Sequence, residues 1–497
     1  MVAQGISGRG LSSEFINFSR KVSSEFINFF GKVSSESENY LLILQRKIFT
    51  EMIKRRIIDE LKEWKSGKYR KPLVLRGARQ VGKTTAVNEF GRSYDNYLYF
   101  NLEDENSRDI FERNLPLDDM ISLLYALQGQ TQREGTTLLF IDEIQNSPKT
   151  VALLRYFYEK RPDIHVVSAG SLLENVVDVQ TSFPVGRVQY MAMHPCSFSE
   201  FVTAMGKGHL LQIMDRPELT TSIHSELMSL FNQYSIIGGM PEAVQRYADD
   251  RDLLAVDDVY VSLLQSYKDD VEKYVRHDKL QAVVRHILAT GWKAAGGSIT
   301  LGNFMESHYS SKEVGDAFRL LEKAMLLQLA YPTASSTLPV IPQLRRSPKL
   351  LWLDSGLVNF AAGIRHEVIG AKDILDVWRG HFGEQVVAQE LRAIRSSKGQ
   401  ETSYWSKDKK NSAAEVDFVW PVDSILLPIE VKTGINSHLR SLHSFIDDSP
   451  AAVGVRVWSG PFSVDDVRTT IRKKPFRLIN LPFYLVGNIE GIVRRYM

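Results

Sequence analysis

Residues 77–84 read Gly77-Ala78-Arg79-Gln80-Val81-Gly82-Lys83-Thr84, a complete G-x-x-x-x-G-K-[ST] segment. The apolar run PLVLRG (72–77) leads into it, and TTAVNEFGRSY (84–94) leads out with helical character. A strand that ends in a glycine turn and hands over to a helix constrains the fold strongly. The backbone N–H groups of such a turn point inward and, with the helix N-terminus, make an anion-binding nest. The pattern predicts a P-loop in a parallel α/β sheet. Gly77, Gly82, Lys83, Thr84 and Thr85 are the expected contacts to ATP, with Lys83 on the β- and γ-phosphates and the Thr84 hydroxyl on Mg²⁺.

Leu138-Leu139-Phe140-Ile141-Asp142-Glu143 follows downstream. Its four apolar residues predict a buried strand beside the P-loop strand, with Asp142 emerging at the carboxyl end, where ligands sit in open α/β sheets. Asp142 would orient the magnesium shell, and Glu143 would polarise the attacking water as a general base. Without the P-loop, the same residues would read as a strand ending in solvated acids. The strand at 164–171 ends in Ser168 and Ser171. A hydroxyl here is a candidate contact to the γ-phosphate or the water, with Ser171 favoured; the alternative is a helix N-cap for LLENVV. Arg187, in Phe183-Pro184-Val185-Gly186-Arg187, is a candidate transition-state cation, in cis or from a neighbouring subunit. The alternative for Arg187 is a surface arginine.

The chain has 497 residues, enough for roughly three domains. A net charge of +2 gives no whole-protein field toward nucleic acid, so any such contact must come from a local patch. The single cysteine, Cys196, excludes an intramolecular disulfide and a cysteine zinc site, and fits a cytoplasmic location. No uncharged apolar run reaches about 18 residues, so no membrane span is expected, and the opening lacks the order of a secretory signal. That opening carries a tandem repeat: SSEFINFSRKV (12–22), then SSEFINFFGKV (23–33). As a helix it would align Phe15, Phe18, Val22, Phe26, Phe29 and Val33 in one stripe. As a translated duplication it is an unordered extension, the favoured reading, and the folded protein then starts near Met52.

Strands at 72–77, 97–104, 136–145 and 164–171 alternate with helices, the signature of a parallel sheet covered on both faces. After about residue 205 helical periodicity takes over, broken at Gly238-Gly239-Met240-Pro241. Residues 298–330 read as strand, helix, turn, helix, a winged-helix pattern whose recognition helix would span Ser310 to Arg319. That helix carries Lys312 and Arg319 but also Glu313 and Asp316, so it is not strongly basic. A Pro-rich polar stretch at 332–348 closes this part. The clusters Arg472-Lys473-Lys474 and Arg494-Arg495 read as solvated faces.

From Lys349 a further α/β segment begins, with a helix at 380–397 and strands near 401–406, 415–420 and 425–432. Asp417 and then Pro428-Ile429-Glu430-Val431-Lys432 lie on two strands, and period-2 alternation puts Glu430 and Lys432 on one face. With Glu384 on the preceding helix, this looks like a PD-(D/E)xK nuclease core. Asp417, Glu430 and Glu384 would hold Mg²⁺ through hard oxygens, and Lys432 would position the attacking water. The alternatives are an inactive or purely binding site and a solvated sheet face.

LRGARQVGKTT, FNLEDE, LLFIDEIQ, SAGSLLE, FPVGRV and HPCSFSEF, in that order, resemble the bacterial and archaeal AAA-type ATPases that carry a C-terminal domain of unknown function. IGGMPEAV (237–244) is similar to the start of that family's helical lid, and KLLWLDSGL (349–357) onward to its C-terminal domain. The resemblance covers residue 52 onward. It implies an AAA-like core, a helical lid, a winged helix and a nuclease-like tail. The expected architecture is therefore α/β, a P-loop AAA-like parallel sheet with a restriction-endonuclease-like C-terminal domain. Its expected boundaries are 1–51 extension, 52–205 ATPase, 206–290 lid, 291–345 winged helix and 346–497 nuclease-like. The expected function is a Mg²⁺-dependent ATPase whose hydrolysis switches the later modules. The alternatives are an ATP-gated DNA endonuclease and a non-hydrolysing scaffold. DNA, a protein partner and further copies of the chain are candidate partners.

Overall fold

The strands of the first sheet are apolar at consecutive positions because both faces are covered. Leu73, Leu75, Leu138, Phe140, Val167 and Ala169 join one buried cluster, while Val74, Leu139, Ile141 and Val166 join another. Period-2 alternation in a sheet flanked by helices produces that division. The computed structural model describes residues 53–170, 186–275, 277–364, 381–394, 402–407, 414–432 and 438–497, without the side chains of 271–274 and 381. The repeat at 12–33 and Ser171 lie outside the described residues.

Strands β1 (Leu73–Arg76), β2 (Asn96–Asn101), β3 (Thr137–Asp142), β4 (Ile164–Gly170) and β5 (Gln189–Ala192) form a parallel sheet in the order β2-β3-β4-β1-β5. Two features differ from the sequence reading. The strand β5, which was not anticipated, covers the other edge of β1. The acidic strand β3 is not beside the P-loop strand, because β4 lies between them. Strand order follows from how the crossovers wind, and no local pattern encodes that.

Helices His224–Ile237, Pro241–Asp250, Asp257–Tyr274 and Asp278–Thr290 make up the helical region. Helix Ser311–Lys323 follows, closed at its start by a capping box between Ser310 and Glu313. The predicted first helix of 298–330 is only a 3₁₀ turn, Phe304–Glu306. Asn303, Met305 and Glu306 all have positive φ, which an α-helix of L-residues cannot propagate. Ser298 makes an isolated bridge to Lys349 rather than opening a strand. Arg319 is ion-paired to Asp316, and Lys279 to Glu313.

The boundary expected at 345 does not separate the sheets. Strand β6 (Leu327–Ala330) pairs antiparallel with β8 (Lys349–Trp352), which joins β8 to the preceding region. Conversely, β7 (Pro332–Thr333), from the Pro-rich stretch, pairs with β9 (Ser403–Ser406) as the edge of the C-terminal sheet. The chain thus crosses over twice, interleaving the two regions. The C-terminal sheet is mixed, with β10 (Glu415–Val422), β11 (Ile425–Lys432), β12 (Val453–Trp458), β13 (Ser463–Arg468) and β14 (Pro475–Pro482) in the order β13-β14-β12-β11-β10-β9-β7. The basic run at 472–474 is used internally. Lys474 donates to the carbonyls of Ile446, Ser449 and Ala451 at the end of helix Arg440–Asp448, and Arg472 pairs with Asp448. Arg494 pairs with Asp423. Among the described residues no helix is long and apolar enough to cross a membrane.

Candidate nucleotide-binding site

The turn after β1 needs its glycines for two different reasons. At Gly82 the backbone takes φ 92°, a left-handed conformation open to glycine at little cost, and this residue caps helix Lys83–Gly91. At Gly77 a Cβ would lie 2.6 Å from the Met193 carbonyl oxygen, so a side chain has no room. The Lys83 ammonium is buried and donates to the carbonyls of Gly77 (2.8 Å) and Ala78 (2.9 Å), which holds the amine at the mouth of the loop. Burial pulls its pKa down, opposed by the nearby Glu143 and Asp142 carboxylates. Thr85 is the next residue of the helix and is exposed.

Although β3 stands one strand away, Asp142 reaches the loop. Thr84 Oγ1 donates to Asp142 Oδ2 at 2.6 Å, and the Glu143 N–H donates to Asp142 Oδ1 at 3.1 Å. A hydroxyl and a carboxylate converging at the carboxyl edge of a sheet are hard oxygen donors, which fits Mg²⁺. Glu143 sits in the left-handed region at φ 50° and accepts from Gln145 Nε2. A non-glycine residue held there is a local strain, and such strain collects at functional sites. Burial raises the carboxyls of both Asp142 and Glu143 above the ordinary range, the direction that suits a general base.

Ser168, the other hydroxyl on β4, is buried and donates to the Leu73 carbonyl at 3.2 Å, so it ties β4 to β1 and does not face the phosphate loop. Arg187 does not suit the in-cis role. It precedes β5 at the amino edge of the sheet, exposed and 3.4 Å from Glu159. Strand register sets Arg76 level with Ala192 at the opposite edge, so the P-loop lies about 15–20 Å away.

Two residues at this site escaped the sequence reading. Arg55, almost fully buried, donates to the Val81 carbonyl inside the loop (2.9 Å), to the His194 carbonyl (2.6 Å) and to Glu200 Oε1 (3.1 Å). It braces the loop from behind. Asp270, on helix 257–274, pairs with Arg79 of the loop, and the Tyr267 hydroxyl lies 3.5 Å from the Arg79 carbonyl. No motif flags either residue, because both act across long sequence separations.

The C-terminal residues also meet. Register Phe418↔Ile429 puts Asp417 across from Glu430, and Glu384 comes in from helix His381–Ile394. A residue outside the expected set lies among them. Lys349 Nζ is 2.7 Å from Glu384 Oε2, 2.8 Å from Glu415 Oε1 and 3.3 Å from Asp417 Oδ1. Burial alone would lower its pKa, but Asp417, Glu384 and Glu415 outweigh that and keep it charged. Asp417 Oδ2 accepts the Val431 N–H at 2.8 Å, and Lys432 pairs with Glu430 at 2.7 Å. Burial, then the Asp417 charge, push the Glu430 carboxyl up. Among the described residues no three His, Cys, Asp or Glu side chains are arranged to hold a metal ion.

Comparison with known proteins agrees with the first site. Residues 69–202 match the model of an AAA domain. Residues 228–368 and 379–471 match two domains of unknown function, DUF8612 and DUF4143. No curated protein matches. Among solved structures, a Walker-type ATPase of Pyrococcus abyssi is similar at 14% identity and a TM-score of 0.38, over 63% of this chain and 98% of that one. The Aeropyrum pernix ORC1 protein, solved in complex with DNA, gives 12%, 0.27, 62% and 91% for the same measures. The Thermotoga maritima RuvB Holliday junction branch migration motor gives 15%, 0.26, 56% and 90%. Likenesses at that level bear on neither substrate nor partner. The assignment of an AAA-type P-loop domain rests on the match at 69–202 and on the geometry around Lys83 and Asp142.

Proposed function

We propose that this protein hydrolyses ATP with Mg²⁺ and uses the cycle to change how its helical region sits on the P-loop. The observation that carries the reading is the convergence of Lys83, Thr84, Asp142 and Glu143 on one loop mouth. In this reading the loop N–H groups and Lys83 bind the triphosphate, and Thr84 and Asp142 would hold Mg²⁺. The ion, when bound, neutralises charge developing on the phosphate oxygens. Glu143 takes the proton of the attacking water. Arg187 fits a transition-state role only as a group supplied to a neighbouring copy, and Ser171 remains a candidate contact to the γ-phosphate.

Arg79 supports the switch. Its guanidinium is held by Asp270 of helix 257–274. A triphosphate in the loop competes with that carboxylate, so nucleotide and helix draw on the same cation. Helix 311–323 with the β6–β8 hairpin is the module we read as a winged helix; its paired charges favour protein packing over DNA reading. The ion-paired C-terminal cluster weighs against the endonuclease alternative.

ATP turnover in Mg²⁺, abolished by EDTA, is the expected result; a folded protein with no turnover would leave only the scaffold reading. Hydrogen exchange across 257–274 is expected to differ between the ATPγS-bound and nucleotide-free protein, and Asp270→Asn is expected to reduce that difference. Its own effect on stability should stay within about 1 kcal/mol, since the Arg79 partner is partly exposed. Identical exchange in both states would remove the switch.

A further inference from the structure

The C-terminal acidic cluster is built around a cation that the chain itself supplies. Lys349 opens β8, which belongs with β6 and not with the C-terminal sheet. Its side chain is only 3% exposed and crosses into the cluster, with its three nearest carboxylates coming from helix 381–394 and strand β10. The ammonium donates to Glu384 and Asp417 and is ion-paired with Glu415 as well. The Tyr404 ring lies beneath it, 4.9 Å from Nζ.

A divalent ion in a nuclease-like core needs these same oxygens. Mg²⁺ demands about six oxygen ligands in near-octahedral geometry. Both Asp417 oxygens are taken, by Lys349 and by the Val431 N–H. Glu384 Oε2 is on Lys349, and Glu430 Oε1 is on Lys432. Glu430 Oε2 is buried without a partner among the described residues, and one such oxygen does not make a metal site. The residues present therefore do not fit a divalent cation.

We infer that the Lys349 ammonium is the resident cation of this cluster, standing where a divalent metal would stand, so that the site fastens the β6–β8 hairpin to the C-terminal sheet and binds no catalytic metal. Sequence spacing hides this, because Lys349 lies 35 residues before Glu384 and on a different sheet from Asp417. The inference is independent of the ATPase reading, which concerns another site.

The test is Mn²⁺ binding to the nucleotide-free full chain, followed by electron paramagnetic resonance. Wild type and Asp417→Asn are expected to bind the same amount of Mn²⁺. Lys349→Met is expected to gain one Mn²⁺ per chain, which Lys349→Met/Asp417→Asn loses again, while Lys349→Arg gains none. A wild-type Mn²⁺ that Asp417→Asn removes would overturn the inference, as would a folded Lys349→Met protein that gains no ion. Should Lys349→Met fail to fold, the comparison of wild type with Asp417→Asn decides by itself.

Discussion

Lys83→Ala is expected to lower ATP turnover by about 10²–10³-fold, the cost of removing one preorganised donor from developing charge in a water-poor site. Lys83 is buried, and its amine is positioned before any ligand arrives by the carbonyls of Gly77 and Ala78. Little reorganisation is then needed when a triphosphate binds. Nucleotide affinity should fall as well, because in the proposed mechanism Lys83 would touch the phosphates in the ground state and not only in the transition state. Lys83→Arg separates charge from shape: it keeps the cation, but the planar guanidinium does not fit a pocket built for a point charge. Turnover and affinity measured together check this. Unchanged values in Lys83→Ala would mean that the loop does not grip the phosphates.

Arg55→Ala is expected to destabilise the protein by about 3–5 kcal/mol, the range for breaking a buried pair by removing one partner. Its guanidinium joins three parts of the first domain: the P-loop at Val81, the segment after β5 at His194, and Glu200 on helix Phe198–Ala204. Removal strands the Glu200 carboxylate, 8% exposed, with only its capping contacts to Ser197 and the Arg56 N–H. Arg55→Ala/Glu200→Gln should recover part of the loss, because the uncompensated charge goes with its partner. Urea midpoints of the single and double variants measure this. A midpoint unmoved in Arg55→Ala would show that the loop is braced by other contacts.

The parts legible in the sequence are those whose physics is local. Gly77 and Gly82 are demanded by a close approach and a positive φ, and no other residue meets both needs with so little strain. The apolar run before Asp142 announces a buried strand, and the alternation at 429–432 correctly puts Glu430 and Lys432 together. What escaped depends on distant segments meeting. The position of β4 between β3 and β1 follows from crossover winding. Arg55 and Asp270 reach the loop from outside any motif. The exchange of β7 and β8 between neighbouring sheets crosses the boundary that the Pro-rich stretch and the resemblance from KLLWLDSGL onward had suggested. Lys349 is the clearest case: one lysine in KLLWLDSGL carries no sign that its side chain enters a cluster formed by Glu384, Glu415 and Asp417. At 303–306 the misreading has another cause, since helical periodicity could not reveal three residues with positive φ.

If one loop both holds ATP and hydrolyses it, Glu143→Gln should separate the two. Gln keeps the size and the left-handed backbone but cannot accept the water proton. With radiolabelled ATP and Mg²⁺, the variant should bind nucleotide as tightly as wild type while single-turnover hydrolysis falls by about 10²–10⁴-fold. Hydrolysis at the wild-type rate in Glu143→Gln would mean that Glu143 is not the general base and that this loop does not carry out the reaction as proposed.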